Sequence, residues 1–164
     1  MSGFNFNVTI IAVGKIKEDY LRSACSEYIK RLGAYGKAIV IEIPESRLPD
    51  STGTAQIEAA LETEAKGVLS AVPKGNAVIA LCIEGQCMSS EEFSRKLSDF
   101  SARGKSGVSV IIGSSFGLGS SVKNAADLRL SMSPMTFPHQ LARVMAAEQL
   151  YRAMSIANNG KYHK

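Results

Sequence analysis

Hydrophobic positions along the chain follow two spacings, one typical of buried strands and one typical of helices. Dense apolar runs rich in β-branched residues occur at residues 8–13, 38–43, 77–83 and 108–112, with a shorter run near residues 128–130. Segments with helical periodicity lie between or after them, at residues 20–32, 55–72, 91–102 and 138–157. Strands that alternate with helices predict an α/β fold in which a mostly parallel sheet is flanked by helices. The density of the apolar runs fits strands covered on both faces.

Length and composition set bounds on the class of protein. The chain has 164 residues, of which 45% are hydrophobic and 21% charged, and this predicts one compact domain over residues 1–164. The formal net charge of +4 permits nucleic-acid binding without demanding it. The first residues lack the basic start and long apolar run of a signal peptide, and no apolar stretch approaches a membrane span in length. We therefore expect a soluble, cytoplasmic protein without membrane contact.

Cysteine and histidine are too few and too scattered for a disulfide framework or a zinc site. The three cysteines, Cys25, Cys82 and Cys87, are an odd number without framework spacing, which favours a reducing compartment. The two histidines, His139 and His163, lie far from Cys82 and Cys87 in sequence and lack ligand spacing. No metal is expected.

The segment before the last predicted helix has a backbone shape that its prolines restrict. Pro134 and Pro138 fix φ near −65°, and each pushes the preceding residue towards extended geometry. Because such a turn leaves amides and carbonyls without partners, it could bind the edge of a flat polar ligand such as an adenine, or it could be an ordinary buried turn. Both interpretations remain open at this point. Pro138 is well suited to be the first residue of the helix that follows.

A glycine-rich loop follows the fourth predicted strand. Residues 113–119 read Gly-Ser-Ser-Phe-Gly-Leu-Gly and precede a short predicted helix from Ser120, which is a plausible shape for a phosphate cradle. The loop matches neither the P-loop motif nor the dinucleotide-binding motif. Nucleotide hydrolysis and dinucleotide binding therefore both lose support.

Two residues of opposite charge, four positions apart, lie on one face of the last predicted helix. Glu148 and Arg152 stand in the favourable order for a helix pair, which on a surface contributes only ~0.3–0.5 kcal/mol. The pair is either solvated or directed into an interface or cleft, where burial would strengthen its electrostatics. In a cleft, Arg152 would suit an RNA phosphate or a base carbonyl, and Arg143 is a second phosphate candidate.

Several short motifs occur together, mostly in the second half of the chain. They are Ile11 to Lys15, Glu27-Tyr28-x-x-Arg31-Leu32, Ile112-Gly113, Gly117-Leu118, Ser131 to His139, Arg143-Val144, Glu148-Gln149, Tyr151-Arg152-Ala153 and the terminal Tyr162-His163-Lys164. In combination they resemble the bacterial ribosomal RNA large-subunit methyltransferase H family, which consists of SPOUT-class enzymes. The resemblance covers nearly the whole chain.

The resemblance implies a SPOUT fold whose C-terminal part forms a trefoil knot, and S-adenosylmethionine as the cofactor. Without the resemblance, the general rule that chains do not thread through loops would predict an unknotted sheet. The residues that match the family's cofactor-binding positions are Leu81, Gly113, Met132, Ser133, Pro134, Met135, Thr136 and Phe137. The knot also requires the 113–119 loop and the 132–137 turn to approach each other closely. A homodimer is implied as well, because SPOUT enzymes usually complete each site across an interface.

The activity that the resemblance implies is methylation of N3 of a pseudouridine in the intersubunit stem-loop of 23S rRNA. With a net charge of only +4, the protein is expected to recognise the assembled ribosome. The catalytic candidates are Glu148, Arg152, Tyr162 and His163. Loss of the N3 proton needs a base or a polarising donor, and the choice among Glu148, Tyr162 and His163 stays open. Tyr162 and His163 could instead hold the base by stacking and hydrogen bonding.

One residue departs from the family pattern. Ser114 stands where the family usually has a second glycine, and only glycine adopts positive φ at little cost. Ser114 is therefore either extended or right-handed, or it is strained. A strained loop would fit an alternative function, that of a noncatalytic ribosome-binding factor that has kept the fold and lost turnover.

Overall fold

The structure, a computed structural model, describes residues 3–164, and within them five strands alternate with five helices. The elements are β1 (Asn7–Val13), α1 (Asp19–Leu32), β2 (Ala38–Ile43), α2 (Thr54–Ala71), β3 (Asn76–Cys87), α3 (Ser90–Ala102), β4 (Gly107–Ile112), α4 (Ser120–Ala125), β5 (Leu128–Ser131) and α5 (His139–Ala157). Each predicted strand and helix is present. Within residues 3–164, no helix combines the length and the apolar character that a membrane crossing requires.

The five strands form one parallel sheet in the order β2-β1-β4-β3-β5. Side chains of α1, α3 and α5 pack on one face of the sheet, and side chains of α2 and α4 pack on the other. The central strands β1 and β4 are buried along their length apart from Asn7. The predicted α/β fold with a mostly parallel, doubly covered sheet is confirmed.

Two boundaries differ from the sequence prediction. The third strand was expected to end at Ile83, but β3 continues to Cys87 after a register shift against β5 between Leu81 and Gln86. The apolar run ends where the strand leaves the covered part of the sheet, so hydrophobicity alone could not show this extension. Pro138 is the N-cap of α5, not its first helical residue, because its ψ of 135° is extended.

The carboxyl edge of the parallel sheet is where the informative segments meet. The 113–119 loop leaves β4 and the 132–137 turn leaves β5, and both segments line the same cavity. Parallel α/β sheets bind ligands at this edge, beyond the carboxyl ends of their strands. The predicted close approach of the two segments is thus confirmed.

Candidate active site

Two adjoining cavities lie at the carboxyl ends of β3 and β5. The first, the loop cavity, has a volume of about 520 Å³ and is lined by the 113–119 loop and the 132–137 turn. The second, the helix cavity, has a volume of about 510 Å³ and is lined by α3, α5 and Tyr28 of α1. Leu81, Ser131 and Met132 line both cavities. A ligand in the loop cavity and a ligand in the helix cavity would therefore both contact these three residues.

Seven of the eight predicted cofactor residues line the loop cavity. They are Leu81, Gly113, Met132, Ser133, Met135, Thr136 and Phe137. Pro134 does not line it, and its contribution is to restrict the backbone of the turn. The sequence-predicted residues, which come from three separate strand ends, are thus brought together around one space.

The 132–137 turn is held by hydrogen bonds of two serine side chains, Ser131 just before the turn and Ser133 within it. Ser131 Oγ donates to the carbonyl of Ser133 at 3.1 Å, and the amide of Met135 donates to Ser133 Oγ at 3.0 Å. Among residues 3–164, the amides of Thr136 and Phe137 find no internal hydrogen-bond partner. Both residues line the loop cavity, so a ligand there would lie beside residues whose amides lack a partner within the chain.

The 113–119 loop needs a glycine at position 113 because the backbone of Gly117 packs against it. A Cβ on Gly113 would lie 2.2 Å from the carbonyl oxygen of Gly117. The amide of Gly117 in turn donates to the carbonyl of Ser114 at 2.9 Å, and Gly117 has a φ of 87°. A side chain at position 113 would therefore disrupt the loop before it met any ligand.

Ser114 fits the loop without backbone strain. Within residues 3–164 the single non-glycine residue with positive φ is Asn159, so Ser114 does not occupy the left-handed region. Ser114 is also buried, at 6% exposure. The extended or right-handed alternative holds, and the strained alternative is wrong.

Polar side chains form a hydrogen-bonded chain along the helix cavity. Ser90 Oγ donates to Gln149 Oε1 at 2.7 Å, and Gln149 Nε2 donates to Glu148 Oε2 at 2.9 Å. All three residues line the cavity, whose other walls are mainly apolar. The cavity thus combines an apolar surface with one polar edge, as small-molecule and nucleobase sites do.

The four catalytic candidates form one cluster centred on Glu148. Glu148 Oε1 accepts hydrogen bonds from Arg152 Nε at 3.0 Å, Arg152 Nη2 at 2.5 Å and the Tyr162 hydroxyl at 3.0 Å. The Glu148 and Arg152 side chains are only 17% and 25% exposed. Both side chains are therefore largely buried, with Glu148 lining the helix cavity, and the solvated alternative is wrong.

The electrostatics of this cluster restrict what Tyr162 and Arg152 can do. Burial raises the pKa of the Tyr162 hydroxyl far above its usual value, and hydrogen bonds with Tyr28 and Glu148 raise it further. The hydrogen bond to Glu148 raises the pKa of Arg152. Arg152 also lies over the Tyr162 ring at 4.7 Å, an attractive cation–π geometry. Tyr162 therefore keeps its proton and Arg152 its charge.

His163 links the cluster to α3. Its Nδ1 lies 3.3 Å from Arg152 Nη1, and its Nε2 lies 2.7 Å from Glu91 Oε1. Glu91 is not among the predicted site residues, and the sequence places it only at the start of the helical segment 91–102. No local pattern could connect two residues 72 positions apart, so the sequence held no signal for this contact.

Arg143 is not available for a phosphate. Its side chain is only 3% exposed, and its guanidinium donates to Glu42 Oε2 at 2.7 Å and to the carbonyl of Gly14 at 2.9 Å. The prediction that Arg143 contacts RNA is wrong, because α5 points this residue into the protein towards β1 and β2. Over residues 3–164, no three His, Cys, Asp or Glu side chains converge as metal ligands do.

Comparison with known proteins identifies the family. The model described as "Predicted SPOUT methyltransferase" matches residues 6–163. The chain belongs to the SPOUT methyltransferase family. It is 44% identical over 158 residues to "Ribosomal RNA large subunit methyltransferase H" of Alkaliphilus oremlandii, covering 96% of this chain and 99% of that one. A protein of the same name from Streptococcus suis is 43% identical over 157 residues, with the same coverage.

Solved structures agree with the fold. The probable methyltransferase from Bordetella pertussis has a TM-score of 0.55 at 17% identity, covering 91% of this chain and 95% of that one. A probable methylase family protein from Haemophilus influenzae has a TM-score of 0.52 at 14% identity, covering 97% of this chain and 71% of that one. The family resemblance and the SPOUT fold inferred from sequence are confirmed.

Proposed function

We propose that this SPOUT methyltransferase transfers a methyl group from S-adenosylmethionine to N3 of a pseudouridine in the intersubunit stem-loop of 23S rRNA. One observation carries the proposal: the loop cavity and the helix cavity adjoin across Leu81, Ser131 and Met132. Methyl transfer needs donor and acceptor in contact with the correct orientation. Two adjoining cavities of similar volume provide for both. The names of the 42–44% identical relatives support the choice of ribosomal RNA as substrate.

The residues of the loop cavity fit S-adenosylmethionine. The cavity volume of about 520 Å³ lies within the range of ordinary ligand sites, ~300–1,000 Å³. The amides of Thr136 and Phe137 offer donors to the adenine edge, and Leu81 and Phe137 offer apolar surface to the ring. When bound, the cofactor supplies an activated methyl group on its sulfonium. The protein has to hold that group towards the shared wall between the cavities.

The helix cavity is the proposed place for the target base. A base inside folded RNA must leave its stack to reach an enclosed site, and it is then bound by its hydrogen-bonding edge and its faces. The amide of Gln149 and the hydroxyl of Ser90 provide that polar edge. Arg152, which keeps its positive charge, would bind a phosphate or a base carbonyl at the rim.

Proton removal from N3 falls to Glu148 or His163. Tyr162 cannot act as the base, because burial and its hydrogen bonds with Tyr28 and Glu148 raise the pKa of its hydroxyl, which keeps its proton at neutral pH. Glu148 Oε1 already accepts three hydrogen bonds, while its Oε2 accepts one, from Gln149. Glu148 Oε2 is therefore the atom we propose to receive the proton, after Gln149 turns towards the base.

A second copy of the chain is the proposed cover for the mouth of the loop cavity. Ile83, Phe116 and Met135 line this mouth with exposures of 64%, 48% and 73%. Large apolar side chains grouped in this way mark interaction surfaces more often than free surface. We propose a homodimer in the cytoplasm that completes each site at this surface, and an assembled ribosome as the substrate.

The noncatalytic alternative loses its one supporting feature, because Ser114 is not strained. Calorimetry with S-adenosylmethionine in the presence of a metal chelator tests the remaining choice. We expect calorimetry to show one cofactor bound per protomer. We also expect methyl transfer to intact large subunits paired with small subunits. Failure to bind the cofactor, with a folded protein by circular dichroism, would favour a noncatalytic factor.

A further inference from the structure

The imidazole of His163, near the C-terminus, is held by hydrogen bonds at both of its ring nitrogens. His163 Nε2 lies 2.7 Å from Glu91 Oε1, and His163 Nδ1 lies 3.3 Å from Arg152 Nη1. The His163 side chain is 28% exposed, although it is one residue from the end of the chain. Terminal residues are poorly ordered unless something ties them down, and these two contacts do so.

The chemistry of the two partners determines which nitrogen carries the proton. A guanidinium has donors and no acceptor, so the nitrogen that faces Arg152, His163 Nδ1, has to accept. A hydrogen bond to its own backbone amide at the helix start lowers the pKa of Glu91, and the hydrogen bond to His163 lowers it further, so Glu91 is an ionised acceptor. His163 Nε2 therefore carries the proton and donates it to Glu91.

Glu91 itself stands on a rigid part of the fold. It is the second residue of α3, whose start is fixed by a capping box: the amide of Glu92 donates to Ser89 Oγ at 3.1 Å, and the amide of Ser89 donates to Glu92 Oε2 at 2.7 Å. Ser89 and Ser90 line the helix cavity. The carboxylate of Glu91 is thus held on the first turn of α3, directly after the two serines that line the cavity proposed for the target base.

We propose that Glu91 is a positioning residue that fixes His163 as the neutral Nε2–H tautomer and anchors the C-terminal tail to the start of α3, a helix that lines the helix cavity. The proposal rests on the proposed function. Because both ring nitrogens are engaged, His163 does not take the N3 proton. It offers its ring face to the flipped base, as aromatic side chains do in RNA recognition. This leaves the N3 proton to Glu148.

Steady-state kinetics on ribosomes test the positioning role. Glu91→Ala is expected to lower kcat by about 10-fold, the lower end of the loss seen when a residue that orients a metal-binding histidine is removed. The KM for S-adenosylmethionine should stay unchanged, because Glu91 does not line the loop cavity. Glu91→Gln should recover most of the lost kcat, since its amide oxygen still accepts from His163 Nε2. Glu92→Gln is the matched control: it removes the same charge from the same helix turn, keeps the cap, and should leave kcat unchanged.

A double-mutant comparison separates positioning from a general effect on α3. In a His163→Ala background, Glu91→Ala should have no further effect on kcat, because the residue that it orients is gone. A full 10-fold loss in that background would overturn the proposal. So would an unchanged kcat in the Glu91→Ala single variant.

Nitrogen-15 NMR of the imidazoles tests the tautomer without relying on activity. The chain has two histidines, so His163→Ala assigns the His163 signals by their loss. The wild type should show protonated Nε2 and unprotonated Nδ1 at His163, and Glu91→Ala should lose this single tautomer. An Nδ1–H tautomer in the wild type would contradict the proposal. If the wild type shows the Nε2–H tautomer but does not methylate ribosomes, the proposed function fails and the Glu91–His163 geometry stands.

Discussion

Arg143→Met tests how the last helix is held against the sheet. The guanidinium of Arg143 is 3% exposed and bridges the carboxylate of Glu42 and the carbonyl of Gly14. Removing one member of a fully buried ion pair costs about 3–5 kcal/mol, because the other charge is left without a partner. Glu42 is 39% exposed, so water can solvate the carboxylate that remains. Methionine also keeps much of the buried volume, so we expect a loss of ~2–3 kcal/mol in the free energy of unfolding.

Urea unfolding followed by circular dichroism measures this loss. Arg22→Met is the surface control: the Arg22 and Asp19 side chains are 58% and 94% exposed, and Arg22 Nη2 also donates to the carbonyl of Ile16 at 2.9 Å. Loss of the exposed pair and of this hydrogen bond should together cost about 1–2 kcal/mol. Glu42→Gln should cost less than Arg143→Met, because the amide oxygen still accepts from the guanidinium. If Arg143→Met lowers the free energy of unfolding no more than Arg22→Met does, the buried Arg143–Glu42 pair does not hold α5 against the sheet.

The same variant should weaken cofactor binding. The 132–137 turn leads directly into α5, and the start of α5 is tied to the β1–α1 loop by Arg143 and by Gln140, whose Oε1 accepts from the amide of Lys17 at 2.8 Å. Loosening this attachment should let the turn shift and weaken S-adenosylmethionine binding severalfold in calorimetry. Unchanged affinity in a folded Arg143→Met protein would show that the attachment does not position the turn.

Three further predictions concern the two cavities and the substrate. Gly113→Ala should lower the melting temperature and abolish cofactor binding together, since its Cβ would clash with the Gly117 carbonyl; loss of binding at unchanged stability would instead indicate a direct ligand clash. Tyr162→Phe should cost about 1 kcal/mol of stability by removing the hydrogen bond to Glu148, as measured by urea unfolding, and should reduce turnover without changing cofactor affinity. Radiolabelled methyl transfer should be strong on assembled ribosomes and weak on free 23S rRNA, because one small protein offers little RNA-binding area; equal rates would contradict this.

Sequence patterns were sufficient for the sheet, and the family resemblance supplied the residues of the loop cavity. Dense β-branched runs specify buried parallel strands, and the carboxyl ends of such strands meet at one edge. The close approach of the 113–119 loop and the 132–137 turn came instead from the family resemblance, because β4 and β5 are not neighbours in the sheet. The restricted backbone at Pro134 and Pro138 was also readable, because proline limits φ whatever surrounds it.

Other features depend on contacts between distant parts of the chain. Arg143 and Glu42 are 101 residues apart, and the choice between a solvated and a buried arginine depends on which face of α5 meets the sheet. Glu91 and His163 meet because the tail folds back onto α3, which no periodicity indicates. Likewise, the conformation of Ser114 depends on the Gly117 turn that closes above it. The trefoil knot stays a prediction from the family resemblance.

Nucleoside mass spectrometry of 23S rRNA is the direct test of methyl transfer to N3 of the proposed pseudouridine. Ribosomes without the modification are incubated with the protein and S-adenosylmethionine that carries a deuterated methyl group, and the large-subunit RNA is digested and analysed. We expect one labelled methyl per ribosome, carried on N3 of a pseudouridine in the intersubunit stem-loop, and no label when Glu148→Gln replaces the wild type. Label on another nucleoside would contradict the proposed target, and no label with the cofactor demonstrably bound would contradict the proposed methyl transfer to the ribosome.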